Sequence, residues 1–102
     1  MTSLLNKPSL KHLGSLHGIG SLSIGVGNLS IGSVSYEIDG YLDRGLRWAN
    51  GQIEGSVPVL AQAFNAGGAS IALLSGNSVD VLLCDPEGGS TAAITVSGRF
   101  PL

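Results

Sequence analysis

Between Gly18 and Ile38 the chain reads GIGSLSI, GVGNLSI, GSVSYEI, with glycine opening each seven-residue unit and isoleucine closing it, at Ile24, Ile31 and Ile38. Within the units Ser21, Ser23 and Ser30 alternate with Leu22, Ile24, Leu29 and Ile31, which is the period of a strand with one buried face. Seven is odd, and a strand reverses its side chains at every residue, so equivalent units cannot follow one another along one straight strand. The chain must turn, bulge or bend between them. Leu22 and Ile24 on one strand, with Leu29 and Ile31 on the next, are expected to share a face. A two-residue turn at Gly25-Val26 would oppose Leu22 to Leu29, and Gly27 leaves room for a bulge or a three-residue loop instead. The apolar positions then change phase, from Ile31 to Val34, Tyr36 and Ile38, which sets a bend or bulge near Gly32-Ser33. Val34, Tyr36 and Ile38 against Ser33, Ser35, Glu37 and Asp39 make the clearest half-buried strand in the chain.

The same glycines do not make a nucleotide loop. A dinucleotide site needs G-x-G-x-x-G leading from a strand into a helix, whereas these units read G-x-G-x-x-x-x-G and lead into strand patterning.

Downstream, YLDRGLRWANGQIEG reads as a second hairpin turning at Asp43-Arg44-Gly45. A competing turn at Asn50-Gly51 would pair Trp48 with Ile53 and Arg47 with Glu54. The first is preferred because it gives Tyr36 to Leu42 a full-length partner. SVPVLAQAFNAGG is punctuated as a helix over 57–66: Ser56 as N-cap, Pro58 in the first turn, Val59, Leu60, Ala63 and Phe64 along one stripe, and Gly67 just past the end. With only Gln62 and Asn65 as polar content, much of its circumference is expected to be covered. Strand patterns return in ASIALLSGN and SVDVLLCD, around a turn at Ser75-Gly76-Asn77, and in TAAITVSG after the loop DPEGGS. The unbroken apolar runs Ile71 to Leu74 and Val81 to Cys84 predict burial on both faces.

The order is therefore β-hairpin, β-hairpin, helix, β-meander. It predicts a mainly β protein: a small antiparallel sandwich or partly closed barrel plugged by one short helix, forming a single domain over 18–102. Residues 1–17, with Pro8 barring a helix, are read as an N-terminal arm. Its five leucines, Leu4, Leu5, Leu10, Leu13 and Leu16, suit packing on the domain or on a neighbouring subunit.

Composition narrows the functions. Charged residues make up 12% of the chain and the formal net charge is −2, with five Lys and Arg in no cluster, so the footprint of a nucleic-acid binder is missing. No run approaches the ~18 apolar residues of a membrane helix, and the N-terminus lacks the apolar core of a signal peptide. Cys84 is the only cysteine, which rules out an internal disulfide and makes a cytoplasmic location the expectation. A surface this poor in lysine also leaves strand edges without their usual protection, which favours association with a further copy or with another protein.

No cofactor or metal is expected. His12, His17 and Cys84 are the only soft ligands, and a thiol in VLLCD reads as an inert core residue, not as half of a Cys-His nucleophile pair. Glu37 and Asp39 share a strand face at ~7 Å, a spacing open to glycosidase chemistry. A solvated face is the preferred reading. Asp85-Pro86-Glu87-Gly88-Gly89 is better explained as a turn than as a calcium loop. Tyr41, Arg44, Arg47 and Trp48 are the one cluster of residue types that dominate protein interfaces, against the competing reading of Tyr36 and Trp48 as core aromatics. The expected function is a non-enzymatic protein-interaction or assembly module. Two alternatives stand beside it: a barrel holding an apolar ligand between Tyr36, Ile38, Leu73 and Val81, and an inhibitor that docks a larger enzyme. The run YEIDGYLDR with ANGQIEG resembles small bacterial or phage-borne β proteins, a likeness that carries no functional residues over.

Overall fold

The computed structural model describes residues 10–102. Its elements are β1 (Leu10–Ile24), β2 (Leu29–Asp43), β3 (Leu46–Glu54), helix α1 (Val57–Asn65), β4 (Ala69–Ala72), β5 (Ser78–Leu83) and β6 (Thr91–Ser97). Every paired neighbour is antiparallel, in the order β1-β2-β3-β6-β5-β4, and β4 returns to β1 to close a barrel. The fold is thus the small mainly β barrel with one short helix that the hairpin, hairpin, helix, meander order predicts.

Alternation decides which residues fill it. Val34, Tyr36 and Ile38 of β2 face inward, as do Ala92, Ile94 and Val96 of β6, while the residues between them face out. Leu22, Ile53, Leu60, Ile71, Val79 and Val81 complete most of one contiguous core. Each fully buried side chain of this kind contributes about 1.5–3 kcal/mol relative to exposure. Inward-facing Gly20 and Gly51 have a different role. A Cβ on Gly20 would collide with the carbonyl oxygen of Ala72, and one on Gly51 with that of Glu37. Backbone is packed on backbone at these two points, which lets the sheet curl tightly enough to close.

The turns follow local chemistry. Arg44 and Gly45 have φ of 53° and 83° and join Asp43 directly to Leu46, a two-residue turn of the kind whose twist suits a hairpin. Asn50-Gly51 is therefore inside β3 and not a turn. In α1, Leu60 N–H reaches the carbonyl of Ser56 at 3.1 Å, and Gly67, at φ 83°, ends the helix with its N–H on the Phe64 carbonyl. Ser56 contributes no side-chain cap.

Five expectations need correcting. The first turn is four residues, Gly25 to Asn28, closed by Asn28 N–H on the Gly25 carbonyl at 3.2 Å, so Ile24 opposes Leu29 and Leu22 opposes Gly32. The hairpin end runs past the last residue paired with β4, Ser23, and Leu29 is exposed where it was expected to share a face with buried Leu22. The phase change itself is present: Ile31 is the extra residue of a bulge, next to Gly32 as the odd repeat requires. The arm expected over 1–17 is strand from Leu10 onward, paired along β2; residues 1–9, with Leu4 and Leu5, lie outside the described residues. Leu82 and Cys84 are exposed, because a barrel has one interior and no second layer covers its outward face, and Leu74, past the end of β4, is largely exposed where it crosses to Gly18. Finally α1 buries only Leu60 and Ala63, leaving Val57 and Phe64 exposed.

Strand lengths do not match around the barrel. β1 and β2 have 15 residues each, whereas β4 has 4. Only Ser21 to Ser23 of β1 pair with β4, and only Asn50 to Glu54 of β3 pair with β6. Beyond those points β1, β2 and β3 continue alone as a three-stranded extension, and the molecule measures 53 × 29 × 22 Å. The long axis is what a 15-residue strand spans at ~3.3 Å per residue. The inner face of the extension is lined by small residues against which other segments rest. Leu74 packs at Gly18, Leu102 at Gly14, and Phe100 with Leu102 at Gly40.

Replacing Gly20 or Gly51 by Ala should destabilise the fold by about 1–3 kcal/mol, the range for forcing atoms into a packed interior. Gly27→Ala, with nothing within 4 Å of the added carbon, should stay within about 0.5 kcal/mol. Urea midpoints measure both, and equal midpoints for the three variants would show that the strands do not approach so closely.

Candidate functional site

The outer face of the extension is built from the odd positions of β2 and the even positions of β3, all exposed or half-buried. Cross-strand register sorts them into rows. Tyr41 lies opposite Trp48, and on the other side opposite His12. The Tyr41 and Trp48 rings are stacked, with centroids 4.5 Å apart and planes 26° apart, and the His12 ring sits tilted at 5.4 Å from Tyr41. Three rings thus form one row across three strands. In the next row toward the tip Asp43 is flanked by Leu10, 47% exposed, and Leu46, 72% exposed. Aromatic pairs at such spacing contribute about 0.5–1.5 kcal/mol beyond the area they cover.

The row behind the rings is polar: Ser15, Asp39 and Asn50. The Ser15 hydroxyl donates to Asp39 Oδ1, and His12 Nε2 meets the same oxygen at 3.0 Å. These two partners, Ser15 first and His12 second, hold the Asp39 carboxyl below the ordinary carboxylate value. Serine, histidine and aspartate are together, but in the wrong order for nucleophilic catalysis. A triad needs histidine between the other two, so that it can take the hydroxyl proton. Here the carboxylate is in the middle and the Ser15 proton is already committed to it. What the arrangement does is orient the His12 ring against Tyr41.

The four residues expected to bind a partner are divided by this geometry. Tyr41 and Trp48 are brought together. Arg44 sits beyond them in the turn at the tip. Arg47, adjacent to Trp48 in the chain, points to the opposite face, where its guanidinium lies 5.0 Å over the Phe100 ring and holds the C-terminal segment under the sheet. His12 belongs to the row but was assigned to the arm. The bulge at Leu13 breaks the alternation that would have linked His12 to Ser15 and His17.

The residues of the ligand-binding alternative, Tyr36, Ile38, Leu73 and Val81, are buried together in the core. The Tyr36 hydroxyl accepts the Leu74 N–H at 3.0 Å, so this tyrosine ties the β4–β5 connection to β2. Trp48, in contrast, is 39% exposed and not a core aromatic. Cys84, expected in the core, is exposed: it falls just past the end of β5, although its N–H still continues the ladder to the Ala93 carbonyl at 2.9 Å. Among the described residues no three His, Cys, Asp or Glu side chains converge as a metal site. Asp85 to Gly89 is a turn, with Glu87 N–H on Asp85 Oδ1 at 2.8 Å and Gly89 N–H on the Pro86 carbonyl at 2.8 Å. A second polar surface lies on the barrel wall. There Ser70 donates to Asp80 at 2.6 Å beside a depression of about 320 Å³ lined also by Ser23, Asn28 and Ser78. No described helix is long and apolar enough to cross a membrane.

No family model, curated protein or solved structure matches the chain.

The Asp39 carboxyl should titrate below 3.8, and Ser15→Ala should raise it toward the ordinary value, as followed by carboxyl carbon NMR. The sign follows from linkage: a depressed folded pKa adds stability that is fully present above the unfolded pKa and disappears as pH falls through the folded one. A midpoint unmoved in Ser15→Ala would remove the hydroxyl as its main cause. The Cys84 thiol should react fully with a thiol reagent in the native protein, as measured by the absorbance of the released product. Reaction only after adding denaturant would place it in the interior.

Proposed function

We propose that this protein is a non-enzymatic interaction and assembly module whose contact surface is the three-stranded extension formed by β1, β2 and β3. The observation that carries the reading is the row of His12, Tyr41 and Trp48 rings on a part of the sheet that the barrel does not need for closure. Trp and Tyr are the side chains that most often dominate binding energy, because they bring large apolar area with few rotatable bonds. These rings are braced from both sides. Asp39 fixes His12 from the outer face, while Phe100 and Leu102 support the sheet from beneath. Bracing lowers the ordering cost of binding. Leu10 and Leu46 extend the apolar surface to the tip on either side of Asp43.

Sedimentation velocity across a concentration series tests this. Association should be present, and at least one of two substitutions on the extension, Leu46→Asp on β3 and Ile19→Lys on β1, should weaken it by on the order of tenfold, the effect of one lost contact of ~1.4 kcal/mol. Leu82→Asp, at an exposed position on the barrel wall, should leave it unchanged. A chain that stays monomeric at every concentration and in native mass measurements from its own cell would overturn the reading. So would association sensitive to Leu82 alone.

A further inference from the structure

We infer that the free edge of β1 pairs, antiparallel, with the same edge of a second copy about a twofold axis at Leu16; this rests on the reading of the extension as the contact surface and names its partner. Barrel closure satisfies the backbone of β4, β5 and β6 and of the inner halves of β1 and β3. It leaves the side of β1 away from β2 without a partner strand, among the described residues, from Leu10 to Gly20. That is a length of about 36 Å at the strand rise. Alternate N–H and C=O groups along it face outward, the template on which another strand adds. The free edge of β3, Leu46 to Ala49, is much shorter.

Edges meant to stay single carry lysine, proline, inward charges or bulges. On β1 the bulge at Leu13 and the one lysine, Lys11, sit together at the outer end, and Gly14 to Gly20 carries none of these devices.

The chemistry of the edge selects a second copy over an arbitrary strand. The inner face at Gly14 and Gly18 is already filled: a Cβ on Gly14 would lie 3.1 Å from Leu102, and one on Gly18 would overlap Leu74. An incoming strand must therefore carry little bulk beside these two positions. With Leu16 opposite Leu16, Gly14 faces Gly18 of the second copy and Gly18 faces its Gly14, which meets that condition twice. In the same register Ser15 faces His17, with no like charges opposed. The regular run ends there, and Ile19, 64% exposed, comes beside the bulged Leu13 of the second copy, which gives an exposed apolar side chain an apolar neighbour at each end. Such an interface uses the same patch on both copies and closes after two. It would make one continuous sheet, β3-β2-β1 followed by β1-β2-β3, with each His12 beside Gly20 of the second copy and the Tyr41 and Trp48 rings one and two strands away from the seam.

Cross-linking reads this register directly. Cα atoms directly opposite in an antiparallel pair are about 4.5–5.5 Å apart, within disulfide range. In a Cys84→Ser background, Leu16→Cys should therefore give a disulfide-linked dimer on oxidation. His12→Cys, displaced from its own copy by about 26 Å in this register, should not. Ile19→Lys should weaken dimerisation by on the order of tenfold, and Leu82→Asp on the barrel wall should leave it unchanged. Because Leu16 packs partly on the core, hydrogen exchange of the wild-type chain provides a second reading. Outward amides between Gly14 and Gly18 should be protected at high concentration and exchange quickly on dilution. The inference is overturned by a dimer that fails to cross-link through position 16 and keeps fast exchange at these amides. It is overturned equally by association that depends on Trp48 or Leu46 and not on Ile19, which would leave the broader reading of the extension standing. A monomer throughout, with the amides either exposed or protected by the chain's own residues 1–9, overturns it as well.

Discussion

The structure depends on the contact between β4 and β1, which closes the barrel over only Ser21 to Ser23. A closed antiparallel barrel needs each strand to be as long as its neighbours only where they pair. β4, β5 and β6 are short, so the closed part is short, and whatever β1, β2 and β3 have beyond it must stand outside. The extension is thus what remains when two 15-residue strands are joined into a barrel whose closing strand has 4. The inner part of that surplus is not idle: Leu16, Gly18 and Gly20 of β1 pair with Ile38, Tyr36 and Val34, the core residues of β2, whereas Leu10 to His12 pair only with the exposed or half-buried Asp43, Leu42 and Tyr41.

The inner face of that surplus is not left bare. In the closed part, Gly20 and Gly51 let backbone meet backbone; farther out, Gly14, Gly18 and Gly40 provide the hollows that Leu102, Leu74 and Phe100 occupy. The sheet is therefore supported from one side along much of its length, and its rows keep a fixed geometry. Arg47 contributes from below by stacking on Phe100, so a residue that looks like part of a recognition cluster instead holds the support in place.

Much of the fold was legible because period and punctuation agree. Strict alternation from Val34 to Asp39, Arg44-Gly45 as a tight turn, and Ser56, Pro58 and Gly67 around α1 each point to the element found. The failures have physical reasons. Leu74, Leu82 and Cys84 sit in continuous apolar runs, and such a run does not reveal whether a second layer covers its outer half. β1 was hidden from Leu10 to His17 because the bulge at Leu13 shifts the phase within a segment rich in leucine, and His12 was hidden with it. Tyr41 and Trp48 were identified, but their stacking depends on a register that only the Arg44-Gly45 turn sets: the Asn50-Gly51 alternative would have given Trp48 to Ile53. The division of Arg47 from Trp48 was available from strand parity alone.

The Ser15, Asp39 and His12 cluster shows how residue identity and arrangement separate. The same three side chain types that make a nucleophile when histidine is central make a brace when the carboxylate is central. A carboxylate that accepts two hydrogen bonds on one oxygen is stabilised as the anion, and its ionised form is what keeps the hydroxyl and the imidazole turned toward it. The brace also spans β1 and β2, linking the strand that carries the free edge to the strand that carries Tyr41. Edge and aromatic row meet at His12, which lies on the edge strand and packs on Tyr41: the edge faces sideways in the plane of the sheet, and the rings stand on its outer face. Tyr41 and Trp48 stand on β2 and β3, one and two strands in from that edge, so the part of the row that is farthest from the edge is set by the β2–β3 register alone.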